Sequence, residues 1–472
     1  MKLYNSLKRM IPACMTGLLA AALLAGCQQE LPAPENDAEE FAGTLKSAQI
    51  TNLMVLTKSE TLPAGFEEQL AAFGEIVSTT PEIGMVVINP KNGKAQAQIA
   101  KLKEVQAVVP DIEIRMINPR ESVEATADHI GGNETYFAYQ WNMRAIYAPQ
   151  AWDAGFTGAG ARVFILDSGI DADNPDLAPN LNTDLCYSFV NGESFDVSTD
   201  EFNHGTHVAG IIAAADNQRG VIGVAPHAEI VAVKVLSEVT GKGSFSNINR
   251  GLVYADDNGA DVINMSLGAL LNRNGNYMEN GVWIQGPANL YQFTILAQQR
   301  AINYAVKKGA VVVVSAGNDE FNADGSGSYF KMPADLENVI AVSATAPYGW
   351  LLNQTGPLDL FASYSNYGKS LVKLAAPGGD FDYPTSAYVY DMILSTGPGE
   401  PGGYPLYFSA GTSMAAPHVA GVAALIIGKA GGQMNPVAVQ QQLFKTADKI
   451  EGNGVSAYYG NGRVNAYRAV TE

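Results

Sequence analysis

Basic residues are scarce in this chain of 472: 29 lysines and arginines stand against 47 aspartates and glutamates, for a net charge of −18. That shortage excludes a nucleic-acid binder, which needs a positive field to meet the phosphates. Cysteine is nearly absent. Cys14, Cys27 and Cys186 are too few for a disulfide framework. Histidine occurs five times, so metal sites built on imidazole have little to draw on. No apolar run reaches the roughly 20 residues of a membrane-spanning helix; the stretch from Ile11 to Ala25 covers 15. What is present is globular in kind, with 47% hydrophobic and 16% charged residues. The length exceeds one ordinary core and implies two or three folding units.

The first 26 residues read as a secretory signal: Lys2, Lys8 and Arg9, then the short apolar run. It ends Leu24-Ala25-Gly26-Cys27, which resembles a bacterial lipoprotein lipobox. The expectation is a signal over 1–26, lipid on Cys27, and an exported protein held at the cell envelope. Its removal takes three bases and no acids and leaves −21. Cys14 leaves with the signal and Cys186 stays unpaired, without the local setting of a catalytic thiol. Residues 27–48, with Pro32, Pro34 and five acids, read as a flexible tether.

Residues 49–118 read as a small α+β unit. Strands are expected at Leu53–Leu56, Glu75–Val77, Met85–Ile88 and Ala107–Val109. Helices are expected at Phe66–Phe73 and Ala95–Val105, and Ile112–Ile114 closes the unit. That order is ferredoxin-like. Pro119 and the Gly131-Gly132 pair mark 119–140 as a linker. From 141 to 472 short β-branched strands such as Val163–Leu166 and Val311–Val314 alternate with helices, which predicts an α/β fold around a mainly parallel sheet.

Three residues stand at the ends of such elements. Asp167 closes the strand from Ala161, at the edge where open parallel sheets bind ligands; alone it would pass for a helix cap. His204 opens His204-Gly205-Thr206-His207-Val208-Ala209-Gly210. Paired with His207 it could hold a metal, but no third ligand is near, so general base is the stronger reading. Ser413, in Gly411-Thr412-Ser413-Met414-Ala415-Ala416-Pro417-His418, stands at a helix N-terminus, where the dipole favours negative charge. If Ser413 caps that helix, Pro417 falls at its fourth position and is tolerated.

In this order the three motifs resemble the subtilisin-like serine endopeptidases over about residues 141–472. The resemblance implies a subtilisin-like three-layer fold and a triad of Asp167, His204 and Ser413 that needs no catalytic cofactor. Asn318, in Ser315-Ala316-Gly317-Asn318, is implied as oxyanion donor beside the Ser413 N–H. Gly243, Ser244 and Phe245 are implied as one edge of the substrate cleft, and Ser266, Leu267 and Gly268 as the other. Asp176 and Asn217 resemble ligands of a structural calcium. Residues 49–118 resemble the family's propeptide, a partner that helps folding and fills the cleft until cut away, with the processing site in 119–140. The remaining partners expected are polypeptide substrates and, through Cys27, a membrane. Segments 269–299 and 379–407 are longer than the family's usual connections and are expected to rim the cleft. The rival reading is an inactive, protease-like lipoprotein that binds polypeptides.

Overall fold

The computed structural model describes residues 52–116, 121–125, 135–197, 199, 201–279, 282–287, 289–325, 327–399 and 403–472. The signal, Cys27 and the tether lie outside these residues. Those described belong to one unit, Ala48–Glu472.

The N-terminal portion runs β1 (Leu53–Thr57), α1 (Phe66–Ala71), β2 (Gly74–Thr80), β3 (Met85–Pro90), α2 (Ala95–Ile99) and β4 (Val105–Pro110). Its sheet has the order β2-β3-β1-β4, every pair antiparallel. Leu53, Val55, Val86 and Ile88 pack under the helices with Phe66, Leu70 and Ile99. The opposite face sends Met54, Leu56, Met85, Ala107 and Val109 into the core of the C-terminal portion. Both faces being covered explains why β1 and β3 read as unbroken apolar runs. Two further strands leave this sheet. β5 (Glu113–Met116) and β6 (Glu121–Ala125) each pair with the C-terminal portion. The readings of Ile112–Ile114 as part of the small unit and of 119–140 as plain linker are therefore corrected.

The C-terminal portion opens with α3 (Trp141–Ala145), α4 (Ala148–Asp153), β7 (Arg162–Asp167), β8 (Tyr187–Ser188), α5 (His204–Ala213) and β9 (Glu229–Lys234). It continues through β10 (Lys242–Ser244), α6 (Phe245–Asp257), β11 (Val262–Met265), β12 (Leu267–Asn272), the hairpin β13 (Asn276–Glu279) and β14 (Val282–Gln285), and α7 (Leu290–Lys308). Then come β15 (Val311–Ser315), β16 (Tyr329–Met332), β17 (Val339–Ala346), β18 (Leu360–Phe361), β19 (Leu374–Pro377), β20 (Ile393–Thr396) and β21 (Leu406–Ala410). Helices α8 (Thr412–Lys429), α9 (Pro436–Thr446) and α10 (Ala466–Thr471) close the chain.

The central sheet has the order β18-β17-β15-β11-β7-β9-β8, with β19 also on β17, and only the β17–β18 pair is antiparallel. Its strands alternate between two cores. Val163 and Ile165 of β7 enter the core of α5 and α8; Phe164 and Leu166 enter the core of α6 and α7. Val311 to Val314 of β15 alternate in the same way. The order of strand addition reverses at β7, with every strand still parallel: β9 lies to one side of β7, and β11 to the other. The carboxyl ends of those two strands make the crevice where an α/β sheet binds its ligand.

Candidate active site

Asp167 ends β7 and His204 begins α5. They can meet because Gly205 lacks a side chain: a Cβ there would stand 2.1 Å from the Gly169 carbonyl oxygen and 3.3 Å from the Asp167 Cβ. Asn203 caps the helix, its Oδ1 accepting the Thr206 N–H at 2.8 Å. The Ser168 hydroxyl accepts the Gly205 N–H at 3.1 Å. His204 Nδ1 lies 2.8 and 3.0 Å from the two Asp167 oxygens. An ionised carboxylate only accepts, so Nδ1 holds the proton and Nε2 the lone pair. That Nε2 is buried and has no hydrogen-bond partner among the described residues. The site thus holds an oriented base with its accepting end uncommitted.

The neighbouring histidines are structural. His207 Nε2 lies 2.9 Å from the Tyr407 carbonyl, and burial pushes its pKa down to about 3. His418 donates from Nδ1 to the Met414 carbonyl at 2.7 Å and accepts from Asn142 at Nε2; burial pushes it down to about 4. Among the described residues no three His, Cys, Asp or Glu side chains group to hold a metal, which leaves a zinc pair at His204 and His207 without support. Cys186 donates to the Asn182 carbonyl, and burial pushes its thiol up to about 11, so it is inert near neutral pH.

Helix α8 starts at Thr412, not after Ser413, which corrects the capping expectation and moves Pro417 to the sixth helical residue. There the proline lacks the N–H that would bond the carbonyl of Ser413. The freed carbonyl accepts the Ser266 hydroxyl at 2.8 Å. Ser266 in turn accepts from Asn264 Nδ2 at 3.1 Å. The Ser413 hydroxyl donates to the Ser266 carbonyl at 3.4 Å, a long bond that leaves it able to turn. Since His204 Nε2 is unpartnered, the serine–histidine bond is not made in this state.

Asn318 follows β15 through Gly317, whose φ of 104° suits glycine and whose Cβ would stand 2.3 Å from Asn366 Nδ2. Asn318 Oδ1 accepts the Thr412 N–H at 2.9 Å and the Thr412 hydroxyl at 2.7 Å. The oxygen is the accepting end of this amide, and the NH₂ is its donating end. Thr412 Oγ1 also accepts the Gly317 N–H at 3.0 Å. Asn366 holds the same loop, donating to Ala316 O at 2.9 Å and accepting from the Asp319 and Phe321 N–H groups. Sequence reasoning missed both supports. Thr412 was within reach, as the neighbour of Ser413; nothing local marks Asn366.

The two segments expected to edge the cleft are both paired with β5. β5 runs antiparallel to β10, with Gly243 opposite Ile114 and Ser244 opposite Glu113. It is also antiparallel to β12, with Leu267 opposite Met116 and Gly268 opposite Arg115. Ile114 and Phe245 are both fully buried, in one apolar cluster with Leu236 and Leu267. Upstream of β5, the Asp111 carboxylate accepts the Ser246 N–H at 3.1 Å at the start of α6. Burial holds Asp111 above the usual carboxylate range. On α7, Arg300 donates to the carbonyls of Thr57 (3.1 Å) and Ile83 (3.3 Å) and to Gln106 Oε1 (2.7 Å). The longer segments form strands of their own. The first supplies β12 to β14, and the second supplies β20 and β21, which lead into the Ser413 helix.

Away from the cleft, Asp176 is buried and accepts the Val221 N–H at 3.1 Å. Asn217 Nδ2 lies 3.3 Å from Asp176 Oδ1 and 3.0 Å from the Pro175 carbonyl. Its Oδ1 is buried with no hydrogen-bond partner among the described residues.

The model of the subtilase family matches residues 158–462. Thermitase of Thermoactinomyces vulgaris is 37% identical over 342 residues, 72% of this chain and 98% of that protein. Among solved structures, fervidolysin from Fervidobacterium pennivorans, described as a keratinolytic enzyme related to subtilisin, superposes with a TM-score of 0.67 at 26% identity, covering 89% of this chain and 61% of that one. The epidermin leader peptide processing serine protease from Staphylococcus aureus gives a TM-score of 0.70 over 89% of this chain and 97% of that one; at 24% identity it speaks for the fold alone.

Proposed function

The chain belongs to the subtilase family and is a serine-type endopeptidase, and we propose that it cuts polypeptides through an acyl-enzyme on Ser413, as a lipid-anchored zymogen. The observation that carries the catalytic assignment is His204, held by Asp167 at Nδ1 with a buried, uncommitted lone pair at Nε2. Serine is a weak nucleophile and needs such a base. The Ser413 hydroxyl turns from Ser266 and gives its proton to Nε2 as Oγ bonds to the scissile carbonyl carbon. The oxyanion takes hydrogen bonds from the Asn318 amide and from the Ser413 N–H in the first turn of α8. Collapse breaks the C–N bond, and Nε2 returns the proton to the leaving amine. Water, deprotonated by the same nitrogen, then frees the acid. The test is the loss of both peptide hydrolysis and fluorophosphonate labelling on Ser413→Ala.

Substrate lies where β5 lies, as an antiparallel strand between Gly243-Ser244 and Ser266-Leu267-Gly268, with Phe245 under the residue at the position of Ile114. A large aliphatic residue is therefore preferred there.

The zymogen reading rests on that same occupancy and on the apolar face shared by β1, β3 and β4 with the core. Residues 49–118 act as a tethered inhibitor, and processing falls between Met116 and Glu121, the two strand ends that flank Ser413. Arg300 supplies charge-assisted bonds worth roughly 1.5–3 kcal/mol each. Arg300→Ala should weaken inhibition of the cut enzyme by the separate 49–118 segment about 10- to 100-fold and leave peptide hydrolysis unchanged. An unaltered inhibition constant would remove Arg300 from the interface.

Asp176 and Asn217 would hold a structural calcium, with backbone carbonyls completing the set. Turning the Asn217 amide over puts its oxygen beside Asp176, as a shared cation would require. The ion would tie the loop after α5 to the segment after β7. A chelator should lower Tm by several degrees in the wild type and not in Asp176→Ala; equal responses would discard the site.

Lipidation rests on the Leu24–Cys27 motif alone. Cys27→Ser should move the protein from the membrane fraction to the soluble one without loss of activity. Retention in the membrane would mean a different anchor.

A further inference from the structure

Lys234, the last residue of β9, is fully buried and takes no part in the steps above. A lysine is almost never buried unless it is paired. Its register partner in the central sheet is Asp167. Leu166 and Val233, one step earlier on each strand, share the core of α6 and α7. By alternation Asp167 and Lys234 both face the other side, that of α5 and His204. The lysine stem runs behind the turn that follows Asp167. A Cβ on Gly169, whose φ is 98°, would stand 3.5 Å from Lys234 Cδ and 2.4 Å from the Phe195 carbonyl oxygen. That carbonyl accepts the Ile170 N–H at 3.0 Å. The ammonium ends between two mostly buried carboxylates, 3.1 Å from Glu193 Oε2 and 3.4 Å from Glu238 Oε2. Glu193 Oε2 also accepts the Glu238 N–H at 3.0 Å. Burial works against the charge of Glu193, but hydrogen bonds from Ser237, Lys234 and the Glu238 N–H outweigh it and hold the carboxyl below its usual range.

The backbone around this cluster is tied to the same place. The Asp167 carbonyl accepts the Val235 and Leu236 N–H groups at 2.9 and 3.1 Å, and the Lys234 carbonyl accepts the Phe189 N–H at 2.8 Å. One ammonium thus gathers three segments: the end of β7 with Asp167, the loop after β8 that carries Glu193, and the turn after β9 that carries Glu238. A buried ion cluster is poor evidence of stability, because desolvation offsets the attraction. What it fixes is geometry. Resting on the triad reading above, we infer that Lys234 is a positioning residue for Asp167: by pinning Glu193 and Glu238 beside the turn from Asp167 to Ile170, it keeps the Asp167 carboxylate aligned on His204 Nδ1. Both Asp167 oxygens reach that nitrogen, at 2.8 and 3.0 Å. A small rotation of the carboxylate gives up one of them, and with it the orientation of the base that Ser413 needs.

The experiment measures kcat, KM and Tm on the enzyme with a short chromogenic peptide. Lys234→Met keeps the stem and drops the ammonium. Its kcat should fall by about 5- to 30-fold, less than the 10² or so that a full ångström of misplacement can cost, with KM changed little. That change leaves two carboxylates without their cation, so a second variant adds Glu193→Gln and Glu238→Gln. It should recover the wild-type Tm and still lose kcat. The same substitutions are then made in Asp167→Ala, which should keep a measurable activity: loss of the acid costs about 3 × 10⁴ in kcat in subtilisin, a figure borrowed from that enzyme. If Lys234 acts through Asp167, they cost nothing further there. A folded triple variant with wild-type kcat would overturn the proposal, as would an equal loss of kcat with and without Asp167. Wild-type kcat in Asp167→Ala would overturn the triad reading and this proposal with it; a crippled Asp167→Ala beside an unimpaired Lys234→Met overturns this proposal alone.

Discussion

Ser413→Ala should abolish peptide hydrolysis, with kcat falling by about 10⁶, the loss that removing the serine causes in subtilisin, a member of the same family. The fold should survive. Ser413 is fully buried, its hydroxyl bond to the Ser266 carbonyl is long at 3.4 Å, and alanine is a good helix former at the second position of α8. Tm should therefore stay within a degree or two of the wild type. The anchoring contact, Ser266 Oγ to the Ser413 carbonyl, uses backbone and is kept. The Ser266 hydroxyl cannot substitute: its proton is given to that carbonyl and its oxygen receives Asn264. The variant should also keep its N-terminal segment, because on this reading the nucleophile that turns over substrate also makes the first cut. A fluorophosphonate should label the wild type at Ser413 and leave the variant unlabelled. Wild-type hydrolysis in Ser413→Ala would end the assignment; a processed but inactive variant would show that another protease makes the cut.

How much of this was legible before the structure depended on whether a residue's job is set by its chain neighbours. The strands of the central sheet were legible because burial on both faces leaves no polar alternation, as in Val311 to Val314. The positions of Asp167, His204 and Asn318 at element ends were legible for the same reason: each follows or precedes a run whose type is plain. Leu53–Leu56 and Met85–Ile88 were found as strands, and the structure adds why they are so apolar, since one face packs on α1 and α2 and the other on the C-terminal core. Three things were not legible. Ile112 to Met116 carries the alternation of a half-buried strand, but alternation does not say which strand it joins, and its partners lie more than a hundred residues away in Gly243 and Leu267. Glu121 to Ala125 reads as polar linker because its pairing is by backbone, which leaves no mark on side-chain pattern. The start of α8 was misplaced by two residues, and with it the meaning of Pro417: a tolerated proline became the reason the Ser413 carbonyl bonds the Ser266 hydroxyl. Asn366 was missed outright, because an asparagine that braces a loop looks, in sequence, like any turn residue.

Asn318→Leu should lower kcat by roughly 10²–10³ with KM changed little. The figure is borrowed from the same asparagine role in subtilisin, a member of this family. The split between the two constants follows from what the amide does. It meets little charge on the ground-state carbonyl and full charge on the oxyanion, so its loss falls on the transition state. Leucine, however, removes more than a donor. Asn318 Oδ1 accepts both the N–H and the hydroxyl of Thr412, and leucine leaves that N–H buried and unpaired at the head of α8. An unsatisfied buried donor costs about 1–3 kcal/mol, so Asn318→Leu should also lose a few degrees of Tm and could disturb Ser413 through its neighbour. Asn318→Asp separates the two effects. The carboxylate keeps both Thr412 bonds and the start of the helix, but it offers no N–H and sets a negative charge where the oxyanion forms. It should hold Tm closer to the wild type than leucine does, and yet lose at least as much kcat. If both variants lose Tm and kcat in proportion, Asn318 acts by holding Thr412. If kcat falls in both while only leucine loses stability, the donor is what catalysis needs. Unchanged kcat in Asn318→Leu would take Asn318 out of the oxyanion hole altogether.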